Sequence, residues 1–138
     1  MTGVVLDASV AASWAFPDEE SDYADEVLDA MADGFALVPS LFTFELANTL
    51  AVALKRSRIT VDEVAEFVSE LDQLDIRRDE TKSDVLMLTL AATHTGLSAY
   101  DSSYLELARK TGLPIATHDL ALRRAALSEG VRLFSLMT

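Results

Sequence analysis

Cysteine is absent from this 138-residue chain. Its absence excludes disulfides, zinc–thiolate centres and thiol nucleophiles, and it fits a reducing compartment. Long apolar runs are missing too, and no stretch is long and apolar enough to span a bilayer. No basic segment precedes the first apolar run, which Asp7 interrupts, so a secretory leader is not expected. Positive charge is scarce: 11 Lys and Arg stand against 23 Asp and Glu, a net charge of −12. That argues against a protein that coats nucleic acid through a broad basic surface. It leaves open an enzyme that reaches phosphates through bound metal ions. No repeat, linker, low-complexity segment or phosphate-binding glycine loop is present. The expectation is one cytoplasmic domain over residues 1–138. Half of its residues are hydrophobic, enough to build a core and to argue against disorder.

What is present is an alternation of strand and helix signals. Strands are expected at Val4–Asp7, Ala36–Val38, Pro114–Thr117 and Val131–Phe134, with a short edge strand at Asp75–Arg77. The first helix is expected over Ser21–Ala32, with acids in its first turn and Gly34 as its stop. A long one is expected from about Leu41 to Arg56, capped by Ser40. Thr60 and Glu63 form a capping box for the next, through about Leu71, whose apolar stripe is Val64, Phe67, Val68 and Leu71. Further helices are expected over Ser83–Thr95, Asp101–Thr111 and Leu120–Ser128, the first two ending at Gly96 and Gly112. This order predicts an α/β fold with a mainly parallel central sheet and helices on both faces.

Four carboxylates stand alone in apolar surroundings. Asp7 is the only charge between Gly3 and Pro17, and Glu45 the only one from Pro39 to Leu54. Asp101 is the sole carboxylate between Asp84 and Glu106, and no other follows Asp119 until Glu129. A buried carboxylate is costly unless a cation or several donors receive it. Asp7 and Asp119 lie just past strand ends, where ligands bind in open α/β sheets, and Glu45 and Asp101 lie in early turns of helices. The four converge, on this reading, in one pocket for a hard divalent cation, Mg²⁺ or Mn²⁺. Simpler roles stay open: Asp101 and Asp119 also suit helix N-caps, Asp7 a turn cap, and Glu45 a partner for a buried arginine. Ser9 is placed to hold a carboxylate or bound water, or equally to serve as a turn hydroxyl, and Thr117, alternating with Asp119, to support a metal shell. Asn48, one helical turn after Glu45, is placed to orient substrate or to satisfy a backbone group. His118 is expected at the surface and His94 at a helix C-terminus. Trp14 and Phe16 suit a core or a partner surface. The basic groups Lys55-Arg56 with Arg58, Arg77-Arg78, Arg109-Lys110 and Arg123-Arg124 read first as solubility and helix-end charge.

Four segments carry a family likeness: Val4-Val5-Leu6-Asp7-Ala8-Ser9; Pro39-Ser40-Leu41-Phe42-Thr43-Phe44-Glu45-Leu46-Ala47-Asn48; Ser98 to Ala108 around Asp101; and Gly112-Leu113-Pro114-Ile115-Ala116-Thr117-His118-Asp119 with Leu122. In order and spacing the chain resembles a PIN domain, specifically the toxin of a VapBC-type toxin–antitoxin pair. The resemblance implies a three-layer α/β/α sandwich and a Mg²⁺- or Mn²⁺-dependent endoribonuclease, with Asp7, Glu45, Asp101 and Asp119 as its acidic quartet. It also implies a homodimer and a cognate VapB-type antitoxin whose arm brings a basic side chain near the acids. Thr117 matches the hydroxyl residue that accompanies the last acid.

The leading expectation is therefore a toxin that cuts structured RNA of the translation machinery. Its alternative is a catalytically silent module that docks a basic peptide in the same pocket. A haloacid-dehalogenase phosphatase needs Asp-x-Asp at the first strand, and Ser9 stands where the second acid belongs. A phosphoryl-accepting receiver needs an acid pair there, which is also missing.

Overall fold

Val4, Val5 and Leu6 are all buried, because the strand that carries them runs through the middle of a sheet covered on both faces. The computed structural model describes residues 2–19 and 21–135. Its strands are β1 (Gly3–Leu6), β2 (Phe35–Val38), β3 (Ile76–Arg78) and β4 (Ile115–Ala116), in the spatial order β3-β2-β1-β4. All three pairings are parallel: Val5 faces Leu37 on one side and Ile115 on the other, and Val38 faces Arg78.

Parallel neighbours need crossovers, and helices supply them. They are α1 (Ala8–Ser13), α2 (Asp22–Met31), α3 (Leu41–Lys55), α4 (Val61–Leu71), α5 (Val85–Thr95), α6 (Ala99–Thr111) and α7 (Leu120–Ser128). Alternation along the strands divides the core in two. Val4, Leu6, Ala36 and Val38 pack with Val10, Val27, Phe42, Leu46 and Phe67 of α1 to α4. Val5 and Ile115 face the other way, onto Tyr104, Leu105 and Leu107 of α6 and Leu122 and Ala126 of α7. The result is the expected three-layer α/β/α sandwich.

Local chemistry sets the helix ends. Ser21 accepts from the Ala24 N–H, Thr60 and Glu63 form the reciprocal capping box, and Ser98 accepts from the Asp101 N–H. Gly96 and Gly112 close α5 and α6 in left-handed conformation, at φ 78° and 74°.

The structure corrects four details of the expected element order. A short helix, α1, begins directly after Asp7; six residues are too few for periodicity to reveal it. The edge strand is shifted to Ile76–Arg78. The expected strand at 131–134 is reduced to a single bridge between Ile115 and Leu133, because β4 has only two residues to pair with. Finally, α6 starts at Ala99 with Ser98 as its cap, so Asp101 is not the N-cap. Among the described residues, no helix is long and apolar enough to cross a membrane.

Candidate functional site

The chain leaves β1, builds β2 and β3 on one side, and returns to place β4 on the other. Where strand order reverses in this way, the connections diverge and leave a crevice beyond the carboxyl ends. Asp7 is the first residue after β1, and Thr117 the first after β4.

Asp7 is only 6% exposed. Its backbone N–H donates to Ala116 O at 3.0 Å, which extends the β1–β4 pairing to the site itself. Its Oδ2 accepts from the Ser9 hydroxyl at 2.7 Å and the Thr117 hydroxyl at 2.6 Å. Although Asp7 stands at the N-cap position of α1, its side chain makes no capping bond, so the turn-cap explanation fails. Thr117 is fully buried and its hydroxyl also accepts from the Asp119 N–H at 3.0 Å. Ser9 accepts from the His118 N–H at 3.2 Å. The two expected supporting hydroxyls thus fix one oxygen of Asp7 and tie it to the loop that carries Asp119.

Glu45 faces the same space from α3. It meets no arginine; its Oε1 accepts from the Tyr104 hydroxyl at 2.6 Å. Burial pushes its carboxyl above the usual range, the Tyr104 bond opposes this, and the charges of Asp7 and Asp101 add to the rise. Asp101, third residue of α6, is raised first by burial, then by the charges of Asp119 and Asp7, with a hydrogen bond from Ser98 in opposition. Asp7 and Asp101 thus bear on Glu45, and Asp119 and Asp7 on Asp101, although they come from four separate elements. Asp119 also caps α7 through Oδ1, which accepts from the Leu122 N–H at 3.0 Å, so its capping role and its place beside Asp101 coexist.

Other expectations fare less evenly. Asn48 is exposed and its side chain makes no hydrogen bond among the described residues, so no contact draws it to the acids. His118 is not a surface residue. Strand β4 ends at Ala116, so alternation does not carry to 118; the ring is half-buried, 3.0 Å from the Ser13 hydroxyl and edge-on to Tyr23. His94 pairs with Glu129 at 2.9 Å. Phe16 is buried in the core and the Trp14 indole donates to Ala24 O. The basic groups are held elsewhere: Arg58 by Asp18 and Glu19, Arg77 by Asp75, Arg109 by Glu106, and Lys110 by Asp79. Arg123 donates to Thr117 O at 2.9 Å and lies over the Tyr23 ring. Tyr104 is the contact that sequence reasoning missed. Its spacing of three residues from Asp101, which puts both on one helix face, is the signal that was available.

The donor set is made only of oxygen, the preference of hard divalent cations. Among the described residues, no three acidic or histidine side chains are gathered tightly enough to enclose an ion by themselves. Mg²⁺ keeps several of its waters and takes only one or two carboxylates directly, so a looser ring of acids is compatible with it. No cationic side chain is among the groups that shift Glu45 or Asp101; hydrogen bonds from Tyr104 and Ser98 alone oppose the rise.

Comparison with known proteins adds three kinds of likeness. Residues 4–127 match the PIN domain family. Ribonuclease VapC3 of Pyrobaculum aerophilum (strain ATCC 51768) is 30% identical over 122 residues, spanning 86% of this chain and 91% of the relative. Among solved structures, PAE2754 from Pyrobaculum aerophilum superposes with a TM-score of 0.68 at 20% identity, covering 90% of this chain and 79% of the other. FitAcB from Neisseria gonorrhoeae gives 0.62 at 20% identity, covering 96% of each chain. At these identities the structural matches speak for the fold.

Proposed function

Because the chain belongs to the PIN-domain family, in its VapC-type branch, we propose that it is a metal-dependent endoribonuclease, the toxin of a type II toxin–antitoxin pair acting on structured RNA of the translation machinery. One observation carries the reading: Thr117 and Ser9 clasp the buried Asp7 carboxylate at the carboxyl ends of β1 and β4, where Asp7 and Asp101 bear on Glu45 and Asp119 bears on Asp101. The 30% identity to a protein named a ribonuclease gives it independent support.

Asp7, Asp101 and Glu45 are the principal ligands for Mg²⁺ or Mn²⁺, directly or through water, and Asp119 holds a second ion or its waters. A bound ion of this kind makes water a stronger nucleophile and neutralises charge on phosphate oxygens. The chain's own residues prepare the place. Thr117 and Ser9 fix the Asp7 carboxylate, the Asp119 cap ties the last acid to α7, and burial of Asp7 limits its solvation. Asp7→Asn or Asp101→Asn lowers cleavage of RNA with Mg²⁺ or Mn²⁺ by roughly 100-fold or more, since metal stabilisation of transition-state charge amounts to several kcal/mol. Undiminished cleavage by a folded variant removes that residue from the mechanism.

The partners belong to the same proposal. None of the residues of α5 is buried, although the helix is apolar, and Val85, Leu86, Met87 and Leu90 lie exposed. A helix apolar all round calls for cover, which supports a homodimer formed over this face. A cluster of acids suits a basic side chain from a VapB-type antitoxin.

A further inference from the structure

Helix α6 turns two unlike side chains toward the pocket. Asp101 carries charge, whereas Tyr104, one turn on, is fully buried within the cluster that contains Leu105, Ile115 and Leu122. Packing fixes the tyrosine ring, yet its hydroxyl reaches out of the apolar cluster to Glu45 Oε1 at 2.6 Å. The length is that of a strong O–H···O⁻ bond. It joins α6 to α3 across 59 positions of sequence.

Glutamate has three rotatable bonds. A half-buried one beside like charges is pushed away from them and toward water. Among the described residues Glu45 has no arginine or lysine to oppose this, and the side-chain hydrogen bond that restrains its carboxylate comes from Tyr104. We propose that Tyr104 is a positioning residue that holds the Glu45 carboxylate against Asp7 and Asp101, ready for a divalent cation. The proposal rests on the metal-binding reading of the acid pocket.

Tyr104→Phe tests it, because it deletes one oxygen and keeps the ring. Tyr104→Met, which also lacks the hydroxyl and remains apolar, serves as a second variant should the first fold poorly. Mn²⁺ affinity is measured by calorimetry, and RNA cleavage is followed as a function of Mn²⁺ concentration. A loss of support for a ligating carboxylate weakens Mn²⁺ binding roughly 10-fold or more, while the maximal cleavage rate returns at saturating Mn²⁺. Unchanged Mn²⁺ affinity overturns the proposal, and so does a maximal rate that saturating metal does not restore, which marks a merely structural role. If the unaltered protein binds no Mn²⁺, the metal reading fails and the positioning role falls with it.

Discussion

Glu45 and Asp101 hold their protons more tightly in the folded chain than in the unfolded one, because burial and neighbouring carboxylates disfavour their charged forms. Such a group favours folding at low pH, and the advantage disappears as pH rises through the folded pKa. The metal-free protein therefore loses stability from these two acids as pH climbs from about 4 through their raised values. Asp101→Asn removes one of the charges, so it raises the melting temperature of metal-free protein at pH 7 by a few degrees. The gain shrinks toward zero below about pH 4, where both forms are neutral. Thermal melts across pH in a chelating buffer check this, and a variant that melts lower at pH 7 contradicts it. The same substitution that stabilises the fold abolishes the proposed activity, the trade-off expected where like charges are held together for function. Asp7, Ser9 and Thr117 were legible at this scale because a lone carboxylate past an apolar strand needs donors, and two hydroxyls stood at the right spacing. Tyr104 was not, since its spacing from Asp101 gives a shared helix face but does not say which partner its hydroxyl reaches. The expectation for Asn48 relied on helix spacing alone, which brings a side chain to a face but does not decide whether the face meets the site.

Elements were legible where their ends carry chemistry. The Thr60–Glu63 box and the stop before Asp72 matched α4 residue for residue, and Asp119 opened α7 as expected. Where pairing or docking decides, as in α1 and the segment after Val131, composition held no comparable mark. The turn between α2 and β2 shows how closely elements are fitted. A Cβ at Gly34 overlaps the Thr2 carbonyl oxygen and crowds that of Ala30. Both obstacles are backbone, so neither can swing aside, and the Phe35 N–H is bonded to the same Thr2 carbonyl at 2.9 Å. Gly34→Ala accordingly destabilises the protein by about 1–3 kcal/mol, the usual cost of overpacking, and chemical denaturation measures it. Stability equal to that of the unaltered protein means the β1–β2 edge gives way more easily than its contacts imply.

At the scale of the whole molecule, both sheet faces are covered, but α5 packs on α6 with its apolar residues still outward. Leu90, 60% exposed, lies on a face that a second copy would cover. Leu90→Glu shifts the particle to monomer mass by light scattering while leaving the circular dichroism unchanged. A monomeric unaltered protein, or a dimer indifferent to this charge, places the self-contact elsewhere. The layered architecture was readable from strand–helix alternation, because parallel strands need covered crossovers. The order of strands was not, because which neighbour β4 chooses is settled by long-range packing. That choice has a consequence for the timing of synthesis. Asp7 leaves the ribosome 110 residues before Thr117, which clasps it, and Asp119 follows later still. A nascent chain lacking β4 has neither the clasp nor the full set of acids, so the pocket cannot exist until β4 and the residues that follow it have been made.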